Sequence, residues 1–79
     1  MDAATVTALL EAQLEGCEIR VDGEGNRYDI TVIGEVFAGQ RPVQRQQLVY
    51  AALNEQIASG AIHAVNIRTF TPEQWQSRA

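Results

Sequence analysis

From Asp2 to Leu14 the larger apolar residues Val6, Leu9, Leu10 and Leu14 return at near-helical spacing, which predicts an amphipathic helix. The alanines of this stretch favour helix, Asp2 stands where an N-cap carboxylate belongs, and Gly16 ends the segment. The period then changes from 3.6 to 2. Cys17, Ile19 and Val21 alternate with Glu18, Arg20 and Asp22, and Tyr28, Ile30 and Val32 alternate with Asp29 and Thr31. Between the two runs lies DGEGNR, a turn-rich joint, so the pair reads as a β-hairpin.

After Gly34 the segment EVFAGQRP is a connection with Phe37 as its buried anchor, and Pro42 opens a second helix. From Val43 to Ala58, Val43, Leu48, Val49, Ala52, Leu53 and Ile57 form one apolar stripe, and Ser59-Gly60 stops it. A third strand runs from about Ile62 to Phe70, with Ile62, Ala64, Asn66, Arg68 and Phe70 on one parity and His63, Val65, Ile67 and Thr69 on the other. Thr71-Pro72-Glu73-Gln74 is a capping box with proline at the first helical position, and Trp75 follows on a short last helix.

The order α-β-β-α-β-α implies an α+β fold. A strand-helix-strand crossover makes the third strand parallel to the second, giving a small mixed three-stranded sheet with helices on one face. With 79 residues, 46% of them hydrophobic, the chain is read as one domain spanning positions 1–79 with a single small core.

Ten acidic residues against six arginines, with no lysine, give a formal charge of −4. That disfavours nonspecific nucleic-acid binding, which needs a gathered positive face, although Arg41, Arg45 and Arg68 would make a local basic patch if folding brought them together. Cys17 has no partner in the chain, so neither an internal disulfide nor an all-cysteine metal site can form, and a reducing compartment is expected. No apolar run approaches a membrane span and MDAATVTALLEAQ lacks the basic flank of a signal peptide; cytoplasm, or an organelle after removal of a transit peptide, is the expected location.

No nucleophile–base–orienter set is visible, and GxGxxG and GxxxxGK[ST] are absent, so an enzyme is not expected. His63 is the one side chain suited both to metal ligation and to titration near neutral pH. The pattern alone leaves it as either a structural histidine at the rim of the sheet or a ligand completed by another molecule. Cys17, in phase with Ile19 and Val21, reads as a small core hydrophobe. Trp75 is either a packing residue or an aromatic anchor for a partner.

The stretches YDITVIGEVFAGQ, VQRQQLVYAALNEQI and above all IHAVNIRTFTPEQW resemble the BolA family, with His63, Ala64, Thr71, Pro72 and Trp75 in the family spacing. DGEGNRYD and GEVFAGQ look most like its acid-stress branch, called IbaG or YrbA. The resemblance implies a fold similar to a class II KH domain. The GxxG loop that clamps RNA in KH domains is missing here, since Gly39 is followed by Gln40, Arg41 and Pro42.

The resemblance further implies a non-catalytic adaptor that pairs with a monothiol glutaredoxin of the CGFS type and shares a 2Fe-2S cluster with it, in iron-sulfur and iron homeostasis and stress response. In that picture the glutaredoxin cysteine and a glutathione thiol hold one side and His63 supplies a ligand from the other. The hairpin loop, Arg68, Thr71 and the Trp75 helix then lie near the interface. Many relatives carry a second His or Cys in the hairpin loop; by alignment Arg27 takes that place, and arginine does not ligate iron in ordinary sites. A cluster would thus need His63 and a fourth ligand from elsewhere, or the complex rests on protein contacts. The alternative implied by the resemblance is a DNA-binding regulator using the KH-like surface through Arg41, Arg45 and Gln46. A third reading is a homodimer formed through an exposed sheet edge, the isolated chain being a monomer or a weak homodimer.

Overall fold

The computed structural model describes residues 1–78, and their elements run α1 (Ala3–Gln13), β1 (Glu18–Glu24), β2 (Arg27–Ile33), α2 (Pro42–Ala52), α3 (Asn54–Ala58), β3 (Ala64–Phe70) and α4 (Pro72–Ser77), with one 3₁₀ turn at Glu35–Phe37. The three strands form one sheet in the order β1-β2-β3. β1 is antiparallel to β2, with Arg20 opposite Thr31, and β3 is parallel to β2, with Thr31 opposite Arg68. The mixed sheet expected from the element order is the one observed.

Period-2 alternation decides which face is buried. Tyr28, Ile30 and Val32 of β2 turn inward, flanked by the half-buried Ile19, Val21, Val65 and Ile67. Val6, Leu10 and Leu14 of α1 close over them, with Val49 and Leu53 from the second helical segment. Phe37 is completely buried at the centre of this layer, which makes the connection it sits on part of the core. The opposite face of the sheet carries Arg20, Asp22, Asp29, Thr31, Asn66 and Arg68.

Four local expectations are revised. The stretch from 43 to 58 is not one helix. It breaks at Leu53, whose amide reaches back only three residues to Tyr50 O (3.0 Å), a 3₁₀-type turn that lets Leu53 be fully buried. Val43 leaves the apolar stripe and is 61% exposed, because helical spacing puts it on the face of α2 that carries the exposed Tyr50, away from the buried Val49. The hairpin is tighter than DGEGNR suggested: pairing continues to Glu24 opposite Arg27, leaving Gly25-Asn26 as a two-residue turn. Cys17, Ile62 and His63 fall just outside the strands they were assigned to.

α1 and α2 lie on the buried face, and α4 caps the end of β3. Its capping box is formed in full: Thr71 Oγ1 accepts from the Gln74 amide (3.1 Å) and Gln74 Oε1 accepts from the Thr71 amide (2.9 Å). From this end α4 reaches both layers. Gln74 Oε1 also accepts from Arg45 Nη1 of α2 (2.9 Å), while Trp75 meets Phe70 edge-to-face at 5.2 Å between ring centroids.

Candidate partner-binding rim

His63 is exposed and stands one residue before β3, at the rim where the helical layer meets the sheet. Its main chain is fixed, since its amide donates to Asn26 O (2.8 Å) and the next amide, of Ala64, donates to the same oxygen (3.1 Å). The hairpin turn thereby holds the backbone that carries the imidazole. The ring lies over Gly60, with Nε2 3.5 Å from where a side chain there would begin. The hollow beside it is lined by Tyr50, Ile57, Ile62, Ala64, Val65 and Asn66. Tyr50, absent from the sequence-based candidates, is 41% exposed there. The signal for it was present: a large aromatic off the apolar stripe of its helix.

Among the described residues no three His, Cys, Asp or Glu side chains converge on one metal position. His63 is the chain's one histidine, and a metal held there needs ligands from another molecule to complete its set. Arg27 does not add to this set. It starts β2, pairs with Ala64, and lines a neighbouring hollow with Gly23, Glu24 and Asp29 that shares Ala64 and Asn66 with the one beside His63. Asn26, not Arg27, is the hairpin residue against His63.

Two of the expected residues, Arg68 and Trp75, do come together, on the open face. Arg20, Thr31 and Arg68 sit side by side across the sheet and line a hollow closed at one end by Trp75. The Arg20 guanidinium stacks on the indole at 4.9 Å and pairs with Glu18 through Nε at 2.7 Å, while Arg78 stacks on the same indole at 3.3 Å. Trp75 is thus a packing residue whose remaining surface borders Arg68. Arg20 escaped the sequence reading because only the strand register shows it in line with Arg68. Thr71 is engaged in its capping box.

The basic patch does not assemble. Arg45 donates from Nε to Gln40 O (3.1 Å) and from Nη1 to Gln74, and lies over the Phe37 ring at 5.9 Å. Gln46 Nε2 donates to Ile67 O (2.9 Å). Both side chains tie α2 to its neighbours, Arg41 remains exposed at the start of α2, and Arg68 belongs to the other side of the sheet. Cys17 is half-buried against Gly34, and burial pushes its thiol above the ordinary range, the protonated and unreactive state.

The family model described as BolA-like protein matches residues 6–74. The chain belongs to the BolA-like protein family. It is 43% identical over 76 residues to a protein from the rpoN-murA intergenic region of Acinetobacter guillouiae, covering 96% of this chain and 92% of that one. It is 37% identical over 75 residues to the acid stress protein IbaG of Escherichia coli K12, covering 95% of this chain and 89% of that one. The structure of a BolA protein homologue from Coxiella burnetii superposes with a TM-score of 0.85 at 27% identity, covering 96% and 97% of the two chains. The α+β architecture built from the strand periods is the BolA-like one, and it carries the sequence-predicted candidates on the His63 rim and on the Arg20–Arg68–Trp75 face.

Proposed function

We propose that this BolA-like chain is a non-catalytic cytoplasmic adaptor that docks a monothiol glutaredoxin of the CGFS type and gives His63 to a shared 2Fe-2S cluster. The other ligands come from the glutaredoxin cysteine and a glutathione thiol. The observation that carries this reading is the placement of His63: an exposed imidazole on a backbone clamped by Asn26 O, with no group of three ligating side chains around it among the described residues. A rigidly presented single ligand suits a site completed by a second molecule.

The chain offers such a cluster one ligand, His63, and Arg27 of the hairpin cannot supply a second. When bound, a cluster with imidazole in place of a thiolate carries one negative charge fewer and has a raised potential. The chain's own contribution is to present a ring nitrogen beside a hollow lined by Tyr50 and Ile57. On the other side of the sheet Arg68, beside Trp75, offers a cation to the same partner.

The test is anaerobic mixing with a CGFS glutaredoxin and glutathione, followed by visible absorption and circular dichroism. The expected result is a spectrum distinct from that of the glutaredoxin homodimer with wild type and its loss with His63→Ala. An unchanged spectrum in the variant removes His63 from the ligand set.

A further inference from the structure

β3 is an edge strand, paired with β2 on one side only. Which of its backbone groups are free follows from two bonds at its ends: the Ala64 amide donates to Asn26 O, and Phe70 O accepts from the Gly34 amide (2.9 Å). In a parallel ladder, residues of one parity direct both amide and carbonyl to the partner strand and the alternate residues direct both away. Even-numbered residues of β3 therefore face β2, and Val65, Ile67 and Thr69 present their backbone groups at the free edge. One of these groups is taken, since Ile67 O, at the middle of the strand, accepts from Gln46 Nε2 of α2.

Gln46 is flanked on the same face of α2 by Val43 and Tyr50, spaced i−3 and i+4 from it. These are two of the molecule's exposed large apolar residues, at 61% and 41%. An unpaired strand edge thus runs beside an exposed apolar strip, with one glutamine bridging them. Edge strands that persist in solution carry a device against further pairing, and a side chain occupying the central carbonyl is such a device.

We propose that the free edge of β3, with Val43 and Tyr50 beside it, is a strand-addition surface for a second copy of this chain, held shut by the Gln46 side chain. The edge is self-complementary. An antiparallel pair centred on Ile67 sets Ile67 against its own copy and Val65 against Thr69, so every outward amide meets an outward carbonyl. On the open face the same register sets Arg68 against Asn66, so the strand's one charge meets no like charge. The α2 helices of the two copies then lie side by side and cover each other's Val43 and Tyr50. The central bond of this register needs the Ile67 carbonyl that Gln46 occupies, and the latch and the dimer compete for that atom.

The experiment is sedimentation equilibrium of the full chain over micromolar to millimolar concentration, with hydrogen exchange read at Val65, Ile67 and Thr69. Gln46→Ala should self-associate about tenfold more tightly than wild type. Its three outward amides should exchange fast when dilute and slowly when dimeric. Adding Thr69→Pro, which removes an outward amide and spares the β2 ladder, should return Gln46→Ala to monomer with an unchanged far-ultraviolet spectrum. Equal association of wild type and Gln46→Ala overturns the proposal. So does a Gln46→Ala dimer in which the three amides stay fast, a reading that stands even if the proline variant fails to fold.

Discussion

The main-chain oxygen of Asn26 accepts from the amide of His63 at 2.8 Å and from that of Ala64 at 3.1 Å, so the tip of the hairpin and the start of β3 move as one piece. The turn depends on Gly25, which has φ +66° and whose carbonyl accepts from the buried Tyr28 hydroxyl at 2.7 Å. Gly25→Ala should cost about 1 kcal/mol and lower Tm by several degrees. The cost should be local, with the His63 amide losing more exchange protection than the Arg68 amide. Equal loss at both would mean that the turn does not anchor the ligand's backbone.

Gly34 and Cys17 form a second tight pair. Gly34 is buried in extended backbone, which any residue adopts, so what demands glycine is space: a Cβ there would collide with Cys17 Sγ and stand 3.3 Å from Cys17 Cβ. Gly34→Ala is expected to destabilise by about 1–3 kcal/mol through overpacking. Adding Cys17→Ala should recover most of it, and a double-mutant cycle in denaturant measures the coupling. Additive losses would show that the clash is relieved elsewhere.

The same burial raises the Cys17 thiol pKa, so this group stabilises the fold below the ordinary thiol range and that contribution is lost as pH rises through the folded value. Native protein should react with a thiol reagent more slowly at pH 8 than the urea-unfolded chain does. Wild type should also lose stability above about pH 9 relative to Cys17→Ala. Parallel stability curves for the two proteins across that range would refute this.

Much of this architecture was legible from period alone. Strands β1 and β2, the capping box of α4 and the burial of Phe37 follow from residue type and spacing, because each is fixed by contacts within a few residues or by a face that must be dry. The break at Leu53 was not legible, since no Gly or Pro lies between Val43 and Ala58 and the 3₁₀ turn serves to bury Leu53 against distant strands. Nor were the ties of Arg45 and Gln46. Both read as solvated helix residues, and only the docking of α2 beside β3 and α4 gives them partners. At the site, the sequence pointed to His63, while its setting depends on Asn26, which is 37 positions away in the chain and bonds through a main-chain atom no side-chain pattern reveals.

Arg45 should accordingly behave as a structural residue. Its guanidinium joins Gln40, Gln74 and the Phe37 ring, so Arg45→Ala should cost about 1–2 kcal/mol and loosen α4. Trp75 fluorescence should shift to the red as the helix frays. Arg41→Ala, at the exposed start of the same helix, should leave both stability and fluorescence within error. A red shift caused by Arg41→Ala, or none caused by Arg45→Ala, would contradict this arrangement.

Asp2 gives the one pH dependence tied to a helix end. Its carboxylate accepts from the Thr5 amide at 2.8 Å, and that bond holds its pKa below the ordinary 3.8. A lowered folded pKa means that the contribution is present above the unfolded value and is lost as pH falls through the folded one. Below pH 3.8 the first turn of α1 should therefore fray, with the Thr5 and Val6 amides losing protection ahead of Leu10. Asp2→Asn keeps an oxygen for the Thr5 amide without the charge, so this variant's first-turn protection should be indifferent to pH across the window in which wild type frays. The same acid-induced fraying in both proteins would assign the effect to other carboxylates and take Asp2 out of the account.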